Sequence, residues 1–591
     1  MKYMSSAGDH KIDKPGSLIR RAARIAPELK WIFLGTLGVA IVATFVRLLG
    51  PLIVKGGIDQ GIEKGDKSAI LTAAGLYIFI LVVQYFTTAL SQWTVALVGE
   101  RYLVKLRGVV FARLLRFDMG FYSRSKSGVL VSRMTSDIES LQEFASDGAV
   151  MALSNLLTVV GVAVALLLVD WQMAIAVFVV VGILLLVSVV FQRQARKAYD
   201  LVRERIGSVL ATLQEGITGV RVVQAFTQEG PQASTFGRVN EKHFDANMAA
   251  ARAISWYFPV VSFLRVTAIV AALAIGATRV IDGSMTIGTL VAFLLYLDWF
   301  FQPIINLSNV YNLLQSALAA LAKLFGLIDE KVVVADREGA YDLPQPVAGA
   351  IDVEAVSFHY LEDNPVLKDV SLSVEPGQRI AVVGETGSGK STIAKLILRF
   401  YDPSDGVVKI DGHDLHDVTE TSRVASVALI PQDGFLFSGT LRDNLVYATP
   451  DATDEEVWLV LDTMGIADWI RSLPDGLDTE VRERGSRFSA GERQLVALAR
   501  AFLADPAVIV LDEATSNLDP ETEVKVETAL RALLDARTSV VIAHRLRSAE
   551  RADRVIMIAD GEVIAEGTHA ELSETSDDYK ELVDVWKVGL A

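Results

Sequence analysis

A glycine-rich run in the second half of the chain has the composition and spacing of a phosphate-binding loop. It matches the pattern G-x-x-x-x-G-K-[ST], follows the strand-like segment Arg379–Val383 and leads into a helical stretch from Ile393. Its glycines let the backbone wrap around phosphates, whose charge then meets amide N–H groups at a helix N-terminus. We expect Lys390 to reach the β and γ phosphates of a nucleotide and Ser391 to hold Mg²⁺. The predicted loop comprises Gly384, Glu385, Thr386, Gly387, Ser388, Gly389, Lys390, Ser391 and Thr392.

Two acids at the end of a second apolar run extend this prediction to hydrolysis. Val508–Leu511 is strand-like and is followed directly by Asp512 and Glu513. Asp512 is suited to the magnesium shell through an indirect contact, and Glu513 to polarising the attacking water. Taken alone, such a pair can be an ordinary helix cap. Beside a phosphate-binding loop, the hydrolytic interpretation is favoured.

The elements that must position these residues form an α/β domain with a largely buried sheet. Short β-rich runs alternate with helical stretches throughout the C-terminal part. Residues 350–591 are therefore predicted to be a nucleotide-binding domain, and the charged, Pro/Gly-punctuated residues 328–349 a linker. The strand-like runs are Arg379–Val383, Val427–Ile430, Val508–Leu511 and Ser539–Ile542.

The first half of the chain contains apolar runs long enough to span a membrane. A hydrocarbon layer of about 30 Å needs roughly twenty helical residues, and it leaves no water for unpaired backbone groups. Residues 31–327 are thus predicted to form a six-helix transmembrane domain after a cytosolic segment 1–30. The runs are Trp31–Val54, Ala69–Val98, Gly148–Val169, Gln172–Phe191, Tyr257–Ile281 and Met285–Asn306.

The connections between these spans alternate between short and long. The long ones follow the second and fourth spans and carry many arginines and lysines, which places them and both termini in the cytosol. Their helical rhythm predicts down-and-up hairpins that reach roughly 35 Å from the membrane, whereas flexible charged loops are the alternative. The expected location is the bacterial cytoplasmic (inner) membrane, with lipid as a neighbour.

Charge and composition exclude other classes. The formal net charge of −15 gives no basic surface for nucleic acid, so no nucleic-acid partner is expected. The chain has no cysteine, which excludes disulfides and thiolate metal sites.

The C-terminal part resembles the nucleotide-binding domain of the ATP-binding cassette (ABC) family, and the whole chain resembles a half-transporter of the multidrug-exporter type. The segment Phe488–Gln494 stands at the position of the family's signature motif L-S-G-G-Q. The resemblance implies that Ser489 and Gly491 contact ATP held by the opposite subunit. It further implies an adenine-stacking role for Tyr360, a magnesium-sensing role for Gln432 and a switch role for His544, which with Glu513 completes the catalytic set.

By the same resemblance, the chain exports a substrate by alternating access, using ATP and Mg²⁺, as one half of a dimer. The altered signature residues Phe488, Ala490 and Glu492 favour a heterodimer in which this chain carries the catalytic glutamate; a homodimer is the alternative. An ATP-gated channel or membrane regulator with the same architecture is the competing function. The transported substrate is not readable from the sequence.

Polar residues within the spans mark a predicted cavity. Asp298 and Gln302 lie four residues apart in the sixth span, and Gln84 lies on a polar face of the second. A carboxylate in hydrocarbon is costly, so Asp298 should avoid lipid. Counting 1.5 Å per residue puts Arg265 at a similar depth. Asp298 should either pair with Arg265 or contact a cationic substrate.

Overall fold

The computed structural model describes residues 15–361, 364–512, 520–543 and 545–588, without the side chains at 146, 147, 149, 305, 307–309, 520 and 588. The chain divides into two compact units. One comprises Met1–Arg113 and Gly128–Glu330, and the other comprises Leu114–Ser127 and Lys331–Ala591. The first unit is helical where it is described, and the second is an α/β unit.

Long helices dominate the first unit, and short π-helical stretches at Gly57–Ile62, Arg133–Asp137 and Phe144–Gly148 interrupt its helical paths. The helices up to the end of this unit, in chain order, are α1 Pro15–Ile25, α2 Lys30–Gly56, α3 Lys67–Leu114, α4 Met119–Arg124, α5 Ser127–Ser132, α6 Ile138–Glu143, α7 Ala149–Val169, α8 Trp171–Thr218, α9 Val220–Ala225, α10 Glu229–Ser255, α11 Tyr257–Ile281 and α12 Ile287–Asp329.

Seven segments of the described residues are long and apolar enough to cross a membrane. Two of them, Ile287–Ile304 and Val310–Asp329, lie on the single helix α12. The others lie on α2, α3, α7, α8 and the consecutive pair α10–α11. The predicted polytopic helical membrane domain is thereby confirmed. Both α3 and α8 continue for 48 residues, well past their apolar parts, as the arms of long hairpins do.

At one end of this unit, carboxylate side chains accept hydrogen bonds from the first backbone N–H groups of two helices. Asp170 caps α8 by accepting from the backbone N–H groups of Gln172 and Met173, and its other oxygen lies 2.6 Å from an Arg279 nitrogen. Asp59, in the π-helical end of the first span, accepts a 2.8 Å bond from the Gly288 N–H at the start of α12. The first turn of a helix has unpaired N–H groups, so these bonds fix where both spans begin.

The second unit contains three sheets in its described part. A six-stranded sheet has the order β12-β11-β3-β10-β9-β6, a four-stranded antiparallel sheet has the order β2-β1-β4-β5, and β7 pairs with β8. The strands are β1 Ile351–Leu361, β2 Asn364–Val374, β3 Arg379–Val383, β4 Asp405–Ile410, β5 His413–Asp414, β6 Val427–Ile430, β7 Gly439–Thr440, β8 Glu480–Val481, β9 Val508–Asp512, β10 Thr538–Ile542, β11 Arg554–Ala559 and β12 Glu562–Gly567. The helices are α13 Lys390–Ile397, α14 Glu420–Ser426, α15 Leu441–Leu445, α16 Asp454–Thr463, α17 Ala467–Arg471, α18 Ala490–Leu503, α19 Pro520–Leu534, α20 Leu546–Glu550, α21 His569–Thr575 and α22 Asp577–Val588.

The large sheet places the chemistry at one edge. Strands β6, β9, β10, β3 and β11 are parallel, and their β-branched residues are buried on both faces, as in sheets covered by helices. The carboxyl ends of parallel strands meet at the same edge, where α/β sheets bind their ligands. The glycine-rich loop follows β3, and Asp512 ends β9. The predicted α/β nucleotide-binding fold is confirmed.

A short segment from the first long connection belongs to the second unit. Leu114–Ser127 groups with residues 331–591, and Asp118 at the start of α4 accepts a 2.9 Å bond from the Val333 N–H. The Tyr401 hydroxyl donates to the Ser123 hydroxyl over 3.3 Å. The two units are thus not separated by one cut in the sequence, and the boundaries predicted at residues 30, 327 and 349 stay a prediction.

Candidate nucleotide site

The backbone of the glycine-rich loop takes conformations that few side chains tolerate. Gly384 has a φ of +147°, and a Cβ there would lie 2.1 Å from the carbonyl oxygen of Ile558 on the neighbouring strand. Gly389 has a φ of +110°, and its Cβ would lie 2.6 Å from a methyl carbon of Leu367. Glycine is therefore required where the loop leaves β3 and where it enters α13.

Lys390 is the first residue of α13 and is 4% exposed. Its ammonium donates to the carbonyl oxygens of Gly384 and Glu385, over 2.8 and 2.7 Å, which holds the side chain across the loop. Burial lowers the pKa of Lys390, while the nearby charge of Asp512 acts in the opposite direction. A buried cation beside backbone amides is the arrangement that stabilises phosphate charge.

Buried hydroxyl groups test whether a triphosphate fits this loop. The Ser388 hydroxyl is buried and has no hydrogen-bond partner among the described residues. A buried donor without a partner is unfavourable, and a phosphate oxygen would satisfy it. Ser391 lies half-buried in the first turn of α13, directly after Lys390, and a hydroxyl is an oxygen ligand of the kind that Mg²⁺ takes. The loop residues therefore fit a nucleotide with Mg²⁺.

Tyr360, the predicted adenine platform, lies on β1 close to the loop. Its hydroxyl is 3.2 Å from the hydroxyl of Thr392, and its side chain remains 39% exposed. The ring of Tyr401 meets it edge-on, with 5.3 Å between the ring centres. Lys395 lies 5.6 Å from the Tyr360 ring centre. An exposed aromatic ring beside the loop is suited to stacking on a base.

The structure describes some of the remaining predicted catalytic residues and not others. Asp512 is the last residue of β9, and the exposed Gln432 follows β6, so both lie at the sheet edge that carries the loop. Glu513 and His544 lie outside the described residues. Their roles stay predictions.

The predicted signature segment forms the start of α18. Ser489 is its exposed N-cap: the hydroxyl accepts from the Glu492 N–H, and the Ser489 N–H donates to the Glu492 carboxylate over 2.7 Å. Phe488 is 5% exposed and packs in the core, so this departure from the family leucine is conservative. Gly491 is buried in the first turn. Glu492 places a negative charge where the family has a neutral glutamine.

Two further contacts at these sites were not predicted from the sequence. The Trp469 indole N–H donates to the Glu492 carboxylate over 3.0 Å, and it comes from a helix more than twenty residues earlier in the chain. The second is the ring contact between Tyr360 and Tyr401. Only the aromatic character of both residues is visible in the sequence. Contacts between separate elements require the fold.

The predicted cavity residues lie on two helices of the first unit. Asp298 and Gln302 are exposed on one face of α12, and Arg265 on α11 places a nitrogen 3.2 Å from an Asp298 oxygen. The pairing predicted by depth counting is present. Gln84 is half-buried on α3, and its part in a cavity stays a prediction.

Comparison with known proteins agrees with both units. The family model described as ABC transporter transmembrane region matches residues 33–304, and the one described as ABC transporter matches 367–516. YknV of Bacillus subtilis (strain 168), an uncharacterized ABC transporter ATP-binding protein, is 35% identical and the match covers 98% of this chain and 96% of the relative. An ATP-dependent lipid A-core flippase of Syntrophus aciditrophicus (strain SB) is 34% identical, over 84% of this chain and 82% of the relative.

A solved structure has the same architecture over nearly the full length. The structure of a bacterial Atm1-family ABC exporter with ATP bound superposes with a TM-score of 0.79 and 27% identity, covering 95% of this chain and 99% of that one. Sequence relatives, family models and fold agree with the loop geometry. The chain therefore belongs to the ABC transporter family, as an ATP-hydrolysing, multi-pass membrane transporter with the exporter architecture.

Proposed function

We propose that the chain exports a substrate across a membrane by alternating access, as one half of a dimer with two composite ATP sites. The observation that carries the proposal is that one chain holds one phosphate-binding loop, one signature segment and the spans of one half-transporter. ABC exporters of this kind generally work as dimers. ATP binding would draw the two nucleotide-binding domains together, and hydrolysis would release them.

The proposed roles of the site residues follow from their placement. Lys390 and the loop amides bind the phosphates, and Tyr360 stacks on the adenine. Mg²⁺, held by Ser391 and Gln432 and indirectly by Asp512, would neutralise charge on the transferred phosphoryl group. By the family resemblance, Glu513 polarises the attacking water and His544 is the switch residue.

Ser489 and Gly491 form the proposed contact with ATP of the partner subunit. Ser489 is exposed at the N-terminus of a 14-residue helix, where a phosphate is favoured by the helix dipole. Glu492 opposes this attraction, which supports the heterodimer over the homodimer. This chain would then supply the catalytic glutamate to one strong site and an altered signature to the other.

The proposed location is the bacterial cytoplasmic (inner) membrane, with both termini and the long hairpins in the cytosol. Positively charged residues in the long connections support this orientation. They include Arg101, Lys105, Arg107, Arg193, Arg196 and Lys197.

The test is transport by the purified chain, alone and with any partner that copurifies. In inverted vesicles, the protein should hydrolyse ATP with Mg²⁺ and accumulate a substrate against its gradient, and Lys390→Ala should abolish both. ATP-dependent conductance without accumulation would instead support the channel function. An active dimer of this chain alone, stimulated by substrate, would refute the heterodimer.

A further inference from the structure

The interior of the spans carries an unbalanced positive charge. Within the six apolar runs, the charged residues are Arg47, Arg265, Arg279 and Asp298. Arg279 lies two residues before the end of α11 and pairs with Asp170. The three remaining groups lie deep in their helices and comprise two guanidinium groups and one carboxylate. Placing a charged side chain inside a membrane costs free energy, so each of these three groups is a candidate functional residue.

Two neighbouring residues of α12 contact these arginines. Arg265 on α11 pairs with Asp298 over 3.2 Å. Arg47 on α2 lies over the ring of Trp299, the next residue along α12, with 4.9 Å from guanidinium carbon to ring centre. Counting about 1.5 Å per residue from the Asp282 and Glu63 turns puts both arginines roughly 24 Å deep. The two cations therefore flank the same level of α12.

The arrangement fixes Arg47 without neutralising it. Next to it, the backbone carbonyl of Leu48 accepts a hydrogen bond from the hydroxyl of Tyr296, which ties α2 to α12 at this level. A cation over an indole ring is stabilised but keeps its charge. Among the described residues, no carboxylate lies within ion-pair distance of Arg47. One positive charge thus remains after Arg265 and Asp298 cancel.

The Arg265–Asp298 pair lies on an exposed polar face of α12. Arg265 and Asp298 are each about half exposed in the protomer, at 50% and 52% of their side chains, and Gln302 continues the polar stripe along α12. Gln302 donates to Asn306 over 3.3 Å, one turn further along α12. Charged and amide groups on an exposed face at membrane depth belong in a hydrated cavity.

We propose that Arg47 and Arg265, balanced in part by Asp298, bind the anionic group of an amphiphilic substrate. A guanidinium binds phosphate or carboxylate in a directional manner. Leu295, exposed one turn earlier on α12, and the surrounding apolar spans suit an apolar body attached to that group. A cationic substrate would instead meet a net positive charge, because Asp298 is already paired with Arg265. The inference deepens the proposed export function and rests on it.

Binding of two matched probes tests the charge preference. Dodecyl phosphate and dodecyltrimethylammonium have equal chains and opposite charges, and inorganic phosphate has no chain. With the full-length protein in nanodiscs, binding is followed by the tryptophan fluorescence change that is lost in Trp299→Phe. We expect dodecyl phosphate to bind at least about tenfold more tightly than the other two. Equal affinity for the two amphiphiles, or for inorganic phosphate, would overturn the proposal.

Variants then assign the preference to Arg47. Arg47→Gln should reduce the ratio of the two amphiphile affinities at least about tenfold, whereas Arg47→Lys should keep it within about threefold. Replacing the pair by Arg265→Gln with Asp298→Asn leaves the net charge unchanged and should retain a preference for dodecyl phosphate, with weaker binding because one guanidinium is lost. An unchanged ratio in well-folded Arg47→Gln contradicts the proposal; if that variant aggregates, Arg47→Met is measured instead.

These readouts separate the two levels of inference. Probe binding at Trp299 requires no hydrolysis, so it can be measured in Lys390→Ala. Loss of anion preference with intact ATP-driven transport would refute the substrate class alone. Anion preference in a protein that never hydrolyses ATP, even with a copurifying partner, would instead refute the export function.

Discussion

The negative charge in the signature segment is expected to weaken ATP at the composite site to which it contributes. Glu492 accepts a 2.7 Å bond from the Ser489 N–H and a 3.0 Å bond from the Trp469 indole. Exchange for glutamine removes the charge and keeps one oxygen that can cap the helix, since Gln also serves at this position of a capping box. Its NH2 group cannot accept the bond from the Trp469 indole, so the loss of one hydrogen bond, about 1 kcal/mol, accompanies the electrostatic change.

The size of the effect follows from the geometry. A phosphate oxygen bonded to Ser489 would lie roughly 6 Å from the Glu492 carboxylate, since both are within hydrogen-bond reach of the same residue. Two unit charges at about 6 Å repel by about 0.7 kcal/mol at the dielectric constant of water and about 2.8 kcal/mol at an effective value of about 20. Glu492 is half-buried, so the repulsion energy should lie between these two values. We expect ATP affinity at this site to rise roughly 5- to 30-fold.

Equilibrium binding of radiolabelled ATP to the dimer measures this change in ATP affinity. The measurement is made in a Glu513→Gln background that suppresses hydrolysis. Glu571→Gln is the matched control, because Glu571 makes the same reciprocal capping box with Thr568 on α21. That variant should change ATP affinity by less than about twofold. An unchanged affinity in folded Glu492→Gln, or an equal rise in the control, would refute the electrostatic reasoning.

Four further substitutions test the site and its surroundings. Lys390→Ala should weaken ATP binding, because the ammonium group of the lysine is lost. Glu513→Gln should leave ATP binding intact and slow hydrolysis by orders of magnitude. Equilibrium ATP binding and steady-state ATPase activity, measured for both variants, distinguish the two effects. Gly384→Ala should destabilise the second unit by about 3 kcal/mol, or roughly 6–12 °C in Tm, since φ is +147° and the added carbon meets a backbone carbonyl; calorimetry that finds no shift contradicts this. Tyr401→Phe removes the 3.3 Å bond to Ser123 and should lower substrate-stimulated ATPase about two- to fivefold without changing ATP affinity.

Sequence alone predicted the features that have few physical solutions. Runs of about twenty apolar residues must be helices, and a glycine-rich loop between strand and helix has one well-known geometry. Even the pairing of Arg265 with Asp298 could be predicted, because helical rise converts residue number into depth. Glu513 and His544 remain predictions that rest on the family resemblance.

Contacts between elements distant in sequence were the part that could not be predicted. Arg47 gave no signal, because a single arginine in a span does not indicate which ring or carboxylate lies beside it. Trp469 likewise carries no signal in the sequence that its N–H lies on Glu492. Side-chain contacts of this kind depend on helix rotation and packing, which periodicity leaves undetermined.

The grouping of Leu114–Ser127 with the second unit affects how these proteins can be recombined. An ATPase domain moved between relatives by a single cut at Lys331 would arrive without Asp118 and Ser123, the partners of Val333 and Tyr401. A functional exchange would have to move two separate stretches of the gene together. In this family, the tip of the first hairpin and the ATPase domain are thus expected to be inherited together. Chimaeras that exchange both stretches should assemble, whereas chimaeras made by a single cut should fail.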